Sequence, residues 1–323
     1  MERLTLDKTD LDILAILGRD CRTSYNSMGS QIGLTSKSVK ARVKNMVRNG
    51  VIEKFVVRVN PAAFGCKTAH ILARTNNGIT KDDVVQRFKQ FGDLAYHIHQ
   101  MGRNSGAGLV INDESWNHSA IQSLKDCLRP ATVSNIAVTH VPVSIEPSET
   151  DLRIIKCLLQ SGARIEISEI AKELGISEKT ATRRLDRMKE ERLLDFTLQC
   201  DPAAMIGYVQ FCIIMFVAKS HYRSVYERMY SEFQESILYR PSVIDPDDRL
   251  IFVLFGENAV KVDLVLAKID SFEGVKTADA FIVTKLQYYD DWIIREIDKR
   301  LAGSSSLPPL SRKPTREVDA LKV

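Results

Sequence analysis

Two stretches of this chain, about 141 residues apart, are variants of one another. The first is LTLDKTDLDILAILGRDCRTSYNSMGSQIGLTSKSVKARVKNMVRNGVIEKFVVRVNPAAFG. The second is EPSETDLRIIKCLLQSGARIEISEIAKELGISEKTATRRLDRMKEERLLDFTLQCDPAAMIG. Thr9-Asp10-Leu11 aligns with Thr150-Asp151-Leu152, and Pro61-Ala62-Ala63 with Pro202-Ala203-Ala204. A period of that length is a domain pair, too long for a solenoid repeat. The fold is therefore expected to have two halves that are copies, each carrying a variant of one function.

Each copy begins with three short helical patterns. In the first, Thr9 is the expected N-cap before Leu11, Ile13, Leu14, Ile16 and Leu17, and a short second helix carries Met28 and Ile32. Gly33-Leu34 turns the chain into a third helix from Ser36 to Arg48, stopped by Asn49-Gly50, and VIEKFVVRVNP reads as a strand ended by Pro61. The second copy repeats the order, with Ser168 and Ser177 as expected caps.

About 80 residues of alternating strands and helices follow each unit. The first set reads as strand 70–74, helix 81–91, strands 94–101 and 106–111, helix 115–128 and strand 133–142. The second reads as strand 210–218, helix 221–233, strands 237–244 and 250–255, helix 259–269 and strand 277–287, with a last amphipathic helix over 290–301. The order βαββαβ is the ferredoxin-like split unit, an open antiparallel sheet backed by two helices. The fold class is thus α+β: a winged helix-turn-helix over 1–60, a ferredoxin-like domain over 61–146, and the same pair over 147–202 and 203–301. Residues 302–323, polar and proline-rich, read as a disordered tail.

With 44% apolar and 27% charged residues the chain has the composition of a soluble protein. No apolar run reaches the roughly 18 residues of a membrane span, and the N-terminus lacks a signal-peptide core, so a cytoplasmic location is expected. The six cysteines form no CxxC pair and read as free core thiols. His97 and His99 share one face of a strand, but no third ligand is near, and neither metal nor cofactor is expected. The net charge of +4 is unevenly placed: residues 1–146 hold 19 Lys and Arg against 13 Asp and Glu, and the remainder 26 against 28. A basic surplus invites an anionic partner.

On a helical wheel the third helix places Val39, Val43, Met46 and Val47 in one arc and Lys37, Ala41, Lys44 and Arg48 opposite. A short helix with a buried stripe and a basic outer stripe, entered through a glycine turn, is what a helix-turn-helix needs to enter the major groove of double-stranded DNA. Ser36 and Ser38 could bond phosphates or base edges at its N-terminus, Lys40 adds charge, and Lys54 and Arg58 on the following strand would extend the basic surface. Shifted by 142, Lys37, Ala41, Lys44 and Arg48 become Lys179, Arg183, Asp186 and Glu190, so two carboxylates stand where phosphates would approach. Ser177, Thr180, Arg184 and Arg187 complete the second candidate surface, a weaker reader.

These residues resemble the Lrp/AsnC, or feast/famine, transcription regulators. The resemblance lies in the acidic first helices (DKTDLDILAIL, ETDLRIIKCLL), the turns IGLTSKSV and LGISEKTA, the pairs Arg42-Val43 and Arg184-Leu185, the GVIEKF strand, and NPAAFG or DPAAMIG leading into the sheet domain. Family members usually carry one such unit per chain and pair their sheets between chains. The resemblance therefore implies a covalent pseudo-dimer that assembles further into a homodimer or larger oligomer. It also implies a small effector such as an amino acid, bound at the loop between the second and third strands of the sheet domain. That loop is Met101, Gly102, Arg103, Asn104 and Ser105 in the first copy and contains Asp245, Asp247 and Asp248 in the second. The glycine-then-aspartate pattern usual there is kept whole in neither.

The reading that follows is a DNA-binding transcriptional regulator, with no enzymatic activity, whose first helix-turn-helix is the main reader. The alternative is a tetrapyrrole enzyme, because sirohaem decarboxylases resemble two Lrp-like units in tandem or as paired subunits. For that activity Tyr96, His97, His99, Arg103, Tyr239 and Arg240 would be the residues of interest, although the His-Asn-Tyr run of those enzymes is absent. No Walker loop, Ser/His/Asp order or GxGxxG followed by an acid points to another enzyme class.

Overall fold

The computed structural model describes residues 4–244 and 249–303. Helix α1 (Lys8–Arg19) is capped by Asp7: its carboxylate accepts from Asp10 N at 2.9 Å, while the Asp10 carboxylate accepts from Asp7 N at 3.2 Å. Thr9, the expected cap, falls inside the first turn, because this reciprocal box satisfies two backbone donors where a lone threonine would satisfy one. Helix α2 (Tyr25–Ile32) starts at Ser24 and ends at Gly33, whose φ of +71° places it in the left-handed region that glycine tolerates best. Helix α3 (Ser36–Arg48) is capped by Thr35 and buries Val39, Val43 and Met46. Each fully buried apolar side chain of this kind stabilises by about 1.5–3 kcal/mol. Strand β1 (Ile52–Val59) follows, then β2 (Lys67–Arg74), α4 (Lys81–Phe91), β3 (Leu94–Gln100), β4 (Asn104–Ile111), α5 (His118–Leu128) and β5 (Thr132–Thr139).

The second copy repeats the order as α6 (Glu149–Ser161), α7 (Ile167–Leu174), α8 (Glu178–Glu190), β6 (Leu194–Cys200), β7 (Val209–Val217), α9 (Tyr222–Phe233), β8 (Ser242–Ile244), β9 (Arg249–Gly256), α10 (Ala259–Asp270) and β10 (Val275–Tyr288). Ser148 caps α6 and Ser177 caps α8. The expected Ser168 cap is not one: α7 begins after Glu166 with no side-chain cap, and Ser168 sits in its first turn. The strand expected over 237–244 is also shorter, since Ile237 makes only an isolated bridge to Leu254 before β8. A final helix, α11 (Asp291–Gly303), packs on α6, and Lys156 pairs with Asp298 at 2.6 Å. The tail expected to be disordered lies, from 304 onward, outside the described residues.

The strands after the two helix trios do not form separate wings. They pair with each other: β1 runs antiparallel to β6, with Phe55 opposite Leu198, Val57 opposite Phe196 and Val59 opposite Leu194. This shared ribbon completes both helical cores. Leu198 and Cys200 of β6 pack with α1 to α3, whereas Val57 and Val59 of β1 pack with α6 to α8. The exchange is reciprocal to single atoms. Arg22 Nη1 donates to the carbonyls of Ala163 and Ile165 at 2.7 and 3.0 Å, and Arg164 Nη1 donates to those of Cys21 and Thr23. The same two guanidiniums lie over Phe196 and Phe55, at 5.5 and 5.3 Å from the ring centres. Residues 141 or 142 apart exchange roles, so the two halves are related by a pseudo-twofold axis through the ribbon.

The other strands form one eight-stranded sheet in the order β5-β2-β4-β3-β10-β7-β9-β8. Each run of four has the ferredoxin-like arrangement, joined where Tyr96 to Gln100 of β3 pair with β10. The sheet curls until its end strands meet, and Arg249 Nη1 donates to Asn135 Oδ1 at 3.1 Å. One face of each half-sheet packs on its own two helices, around Phe88 and Leu124 in the first half and Phe252 and Ile269 in the second. No helix among the described residues is long and apolar enough to cross a membrane.

Candidate DNA-binding face and interdomain cavity

Packing of α3 on α1 and α2 leaves its other side in solvent. Ser36, Lys37, Ser38, Lys40, Ala41, Lys44 and Arg48 are all exposed. The Ser38 hydroxyl lies 2.9 Å from that of the cap Thr35, which also accepts from Ser38 N. Arg48 Nη2 donates to Asn45 Oδ1 one turn back, and Lys40 Nζ stands 5.9 Å from the centre of the Tyr25 ring. Four cations and no acid are thus exposed on α3.

The corresponding face of α8 differs in sign. Its exposed charges are Lys179, Arg183 and Arg187 together with Glu178, Asp186 and Glu190. Ser177 is exposed and Thr180 half-buried, their hydroxyls 2.9 Å apart at the helix start. Arg184 does not belong to this face. Its Nη1 donates to the buried Asp151 carboxylate and to Ser148 Oγ, both at 2.9 Å, bracing α8 against the start of α6. Arg42 does the same in the first copy, bonding Asp7 and Asp10 at 2.8 Å each. The sequence signal was available: Arg42 and Arg184 are equivalent, and each first helix carries an acid near its N-terminus to receive it.

Lys54 and Arg58 also require correction, because the ribbon turns them away from the outer face of α3 toward the sheet. Lys54 Nζ donates to the Tyr288 carbonyl at 3.2 Å and lies 3.8 Å from the Asp290 carboxylate. Arg58 Nε donates to Asp195 Oδ2 at 3.0 Å, and its Nη2 bonds the same oxygen. Burial raises the Asp195 carboxyl, but the charge and hydrogen bonding of Arg58, with Arg240, outweigh it and hold Asp195 below the usual carboxylate range. Single-strand reading could not show which partner β1 would take.

Between the ribbon and the sheet lies a cavity of about 850 Å³ that contains this ion cluster. Tyr96 and Arg240 line it, as do His70 and Thr139. The Tyr96 hydroxyl bonds His70 Nδ1, and His70 Nε2 lies 2.7 Å from Thr139 Oγ1. Burial first, and the charge of Arg249 second, bring the His70 imidazole down to about 4, so it is neutral at physiological pH.

The loop residues named for an effector are elsewhere. Met101 to Arg103 form a tight turn between β3 and β4, with Gly102 at φ +80°; the Arg103 carbonyl accepts from Thr75 N and Oγ1 at 2.8 and 3.0 Å. Asn104 and Ser105 are already in β4, and none of the five lines the cavity. Asp245, Asp247 and Asp248 lie outside the described residues. The tetrapyrrole candidates are likewise dispersed. His97 and His99 are buried with rings 5.0 Å apart, His97 Nδ1 is 2.7 Å from the Tyr289 hydroxyl, and Tyr239 is buried in the first helical core. No group of three His, Cys, Asp or Glu among the described residues is placed to hold a metal, and the six cysteines are unpaired.

Comparison with known proteins finds partial likenesses to this geometry. Residues 6–53 match a winged helix-turn-helix DNA-binding model, and residues 148–189 match the AsnC-type helix-turn-helix domain. The chain is similar to the HTH-type transcriptional regulator LrpA of Pyrococcus horikoshii, 29% identical over 86 residues; that match covers 27% of this chain and 61% of the regulator, so less than two thirds of the relative is spanned. It is also 28% identical to LrpC of Bacillus subtilis over 141 residues, covering 43% of this chain and 92% of LrpC. Among solved structures, the sirohaem decarboxylase NirDL aligns over 93% of this chain and 100% of its own at 15% identity, with a TM-score of 0.49. Two helix-turn-helix modules, each matching a model over its own length and each followed by a ferredoxin-like half-sheet, make the chain similar to two Lrp- or AsnC-type units in tandem.

Proposed function

We propose that this chain is a DNA-binding transcriptional regulator in which α3 is the main reader of double-stranded DNA and α8 a weaker one. One observation carries the reading. The solvent face of α3 presents Lys37, Lys40, Lys44 and Arg48 without an acid, whereas α8 presents three cations against three carboxylates. Phosphate contact releases condensed counterions, so affinity follows the number of cations that reach the backbone, and a carboxylate in the same place opposes approach. Ser36 and Ser38, with the free N–H groups of the first turn, add positioning contacts at the α3 N-terminus, and Ala41 leaves room for a base edge.

The pseudo-twofold axis supports an operator with two related half-sites, contacted unequally. The curled sheet holds the two readers in one chain, and self-association would place two strong and two weak readers on the DNA. The family resemblance and the named regulators favour this function over catalysis.

Fluorescence anisotropy of the full chain on a labelled random duplex tests it. Log K is expected to fall linearly with log salt, by about 0.9 per phosphate contacted. No binding at low salt would remove the proposal.

A further inference from the structure

The pseudo-twofold axis gives the large cavity a counterpart, and the two are not alike. The counterpart, lined by Glu53, Gln199, Asp201 and Pro202, encloses about 140 Å³ against about 850 Å³. At equivalent positions the large cavity has Asp195, Arg58, Asn60 and Pro61. An Arg58–Asp195 ion pair on one side therefore stands where a Gln199–Glu53 hydrogen bond of 2.5 Å stands on the other. A requirement of folding alone would apply equally to both sides of the axis. The enlargement and the added charge occur on one side only.

Arg192 makes the asymmetry sharper. In the first copy the turn after α3 uses Gly50 at φ +75°, with open space around its α-carbon. The equivalent residue after α8 is Arg192 at φ +59°, the one non-glycine residue with positive φ among the described residues. A side chain in that conformation is strained, and the residue lines the large cavity. The second copy thus carries strain to present an arginine where glycine would be easier.

The lining also carries unbalanced charge. Arg58 and Arg240 share the carboxylate of Asp195, the other acid of the lining, Asp290, faces Lys54 at 3.8 Å, and Arg240 Nε is oriented by a 2.9 Å bond to the Arg19 carbonyl. Lys67 is answered by Asp113 and Lys189 by Asp20, each at 2.6 Å. The ion pairs among the described residues leave Arg19 and Arg192 without a carboxylate. Tyr226, Tyr230, Tyr288, Tyr289 and Trp292 supply aromatic surface around this charge.

We propose that the cavity binds a multiply charged organic anion with a flat, apolar body, its acid groups held by Arg19, Arg192 and Arg240 and its body against the tyrosines and Trp292. Guanidinium forks match carboxylates and phosphates in two-point contacts, and the volume lies within the range that encloses a metabolite-sized ligand. A zwitterionic amino acid would leave most of the positive charge unanswered. The site stands independently of DNA binding, and its test contains no DNA.

Benzene-1,3,5-tricarboxylate is the probe, titrated into the full chain by calorimetry beside citrate, L-leucine and benzyl alcohol. The tricarboxylate is expected to bind with saturable heat at least tenfold more tightly than each of the others. Arg192→Gly restores the residue of the first copy and relieves the backbone, so its melting temperature should hold or rise while affinity falls at least tenfold. Arg240→Ala should weaken binding similarly. No saturable heat at millimolar probe, or unchanged affinity in a folded Arg192→Gly variant, overturns the proposal. Equal binding of citrate overturns the apolar component, and equal binding of leucine overturns the charge requirement.

Discussion

Burial decides the charge state of several side chains that a sequence shows only as titratable letters. His70 is brought to about 4, by burial first and then Arg249; His97 is also brought to about 4, by burial first and then its neighbour His99. In the unfolded chain both return to about 6.5. Between these values the unfolded state binds protons that the folded state refuses, so stability falls as pH drops from about 6.5 toward 4. Asp195, held below its usual value, contributes stability above the unfolded carboxylate range that is lost only at still lower pH, which separates the two effects. The urea midpoint should be flat from pH 8 to 7 and decline between 6.5 and 4.5. His70→Gln with His97→Gln should flatten that decline. A wild-type midpoint unchanged down to pH 4.5 would contradict the buried, neutral assignment.

At the level of elements, α3 was readable to its limits because its apolar positions recur at helical spacing and Gly33 and Asn49-Gly50 bracket it. The βαββαβ order was readable for the same reason, each element having its own period. Long-range pairing was not: β1 pairs with β6, 137 residues away between Arg58 and Asp195, and no local pattern encodes that choice. Hence Lys54 and Arg58 read as part of one basic surface, whereas the ribbon engages them with Tyr288 and Asp290 and with Asp195. Gly18 is a similar case. A Cβ there would lie 2.1 Å from the Leu238 carbonyl oxygen, and the Gly18 carbonyl accepts from Thr197 Oγ1 at 2.7 Å. Helix α1 therefore rests directly on the backbone of the second sheet domain. Gly18→Ala should cost about 1–3 kcal/mol or more by overpacking. Chemical denaturation would show it, and a loss below about 0.5 kcal/mol would mean that this contact is easily rearranged.

Across the whole molecule, two copies of one unit form a pseudo-dimer whose halves share their framework and differ in two places. The arginine braces Arg42 and Arg184, the reciprocal Arg22 and Arg164 bonds and the shared ribbon are retained on both sides. What differs is the surface of α3 against α8 and the cavity beside Arg192 against its small counterpart. The first difference could be read from a helical wheel. The second could not, because its lining comes from distant segments that only the fold brings together. The central claim is that α3 dominates contact with DNA, and the salt dependence of binding tests it most directly. Lys37, Lys44 and Arg48 changed together to Ala should flatten the slope of log K against log salt by about 0.9 per contact removed. Changing Lys179, Arg183 and Arg187 together should flatten it less. Equal flattening by the two triple variants, or a larger effect from α8, would contradict the account.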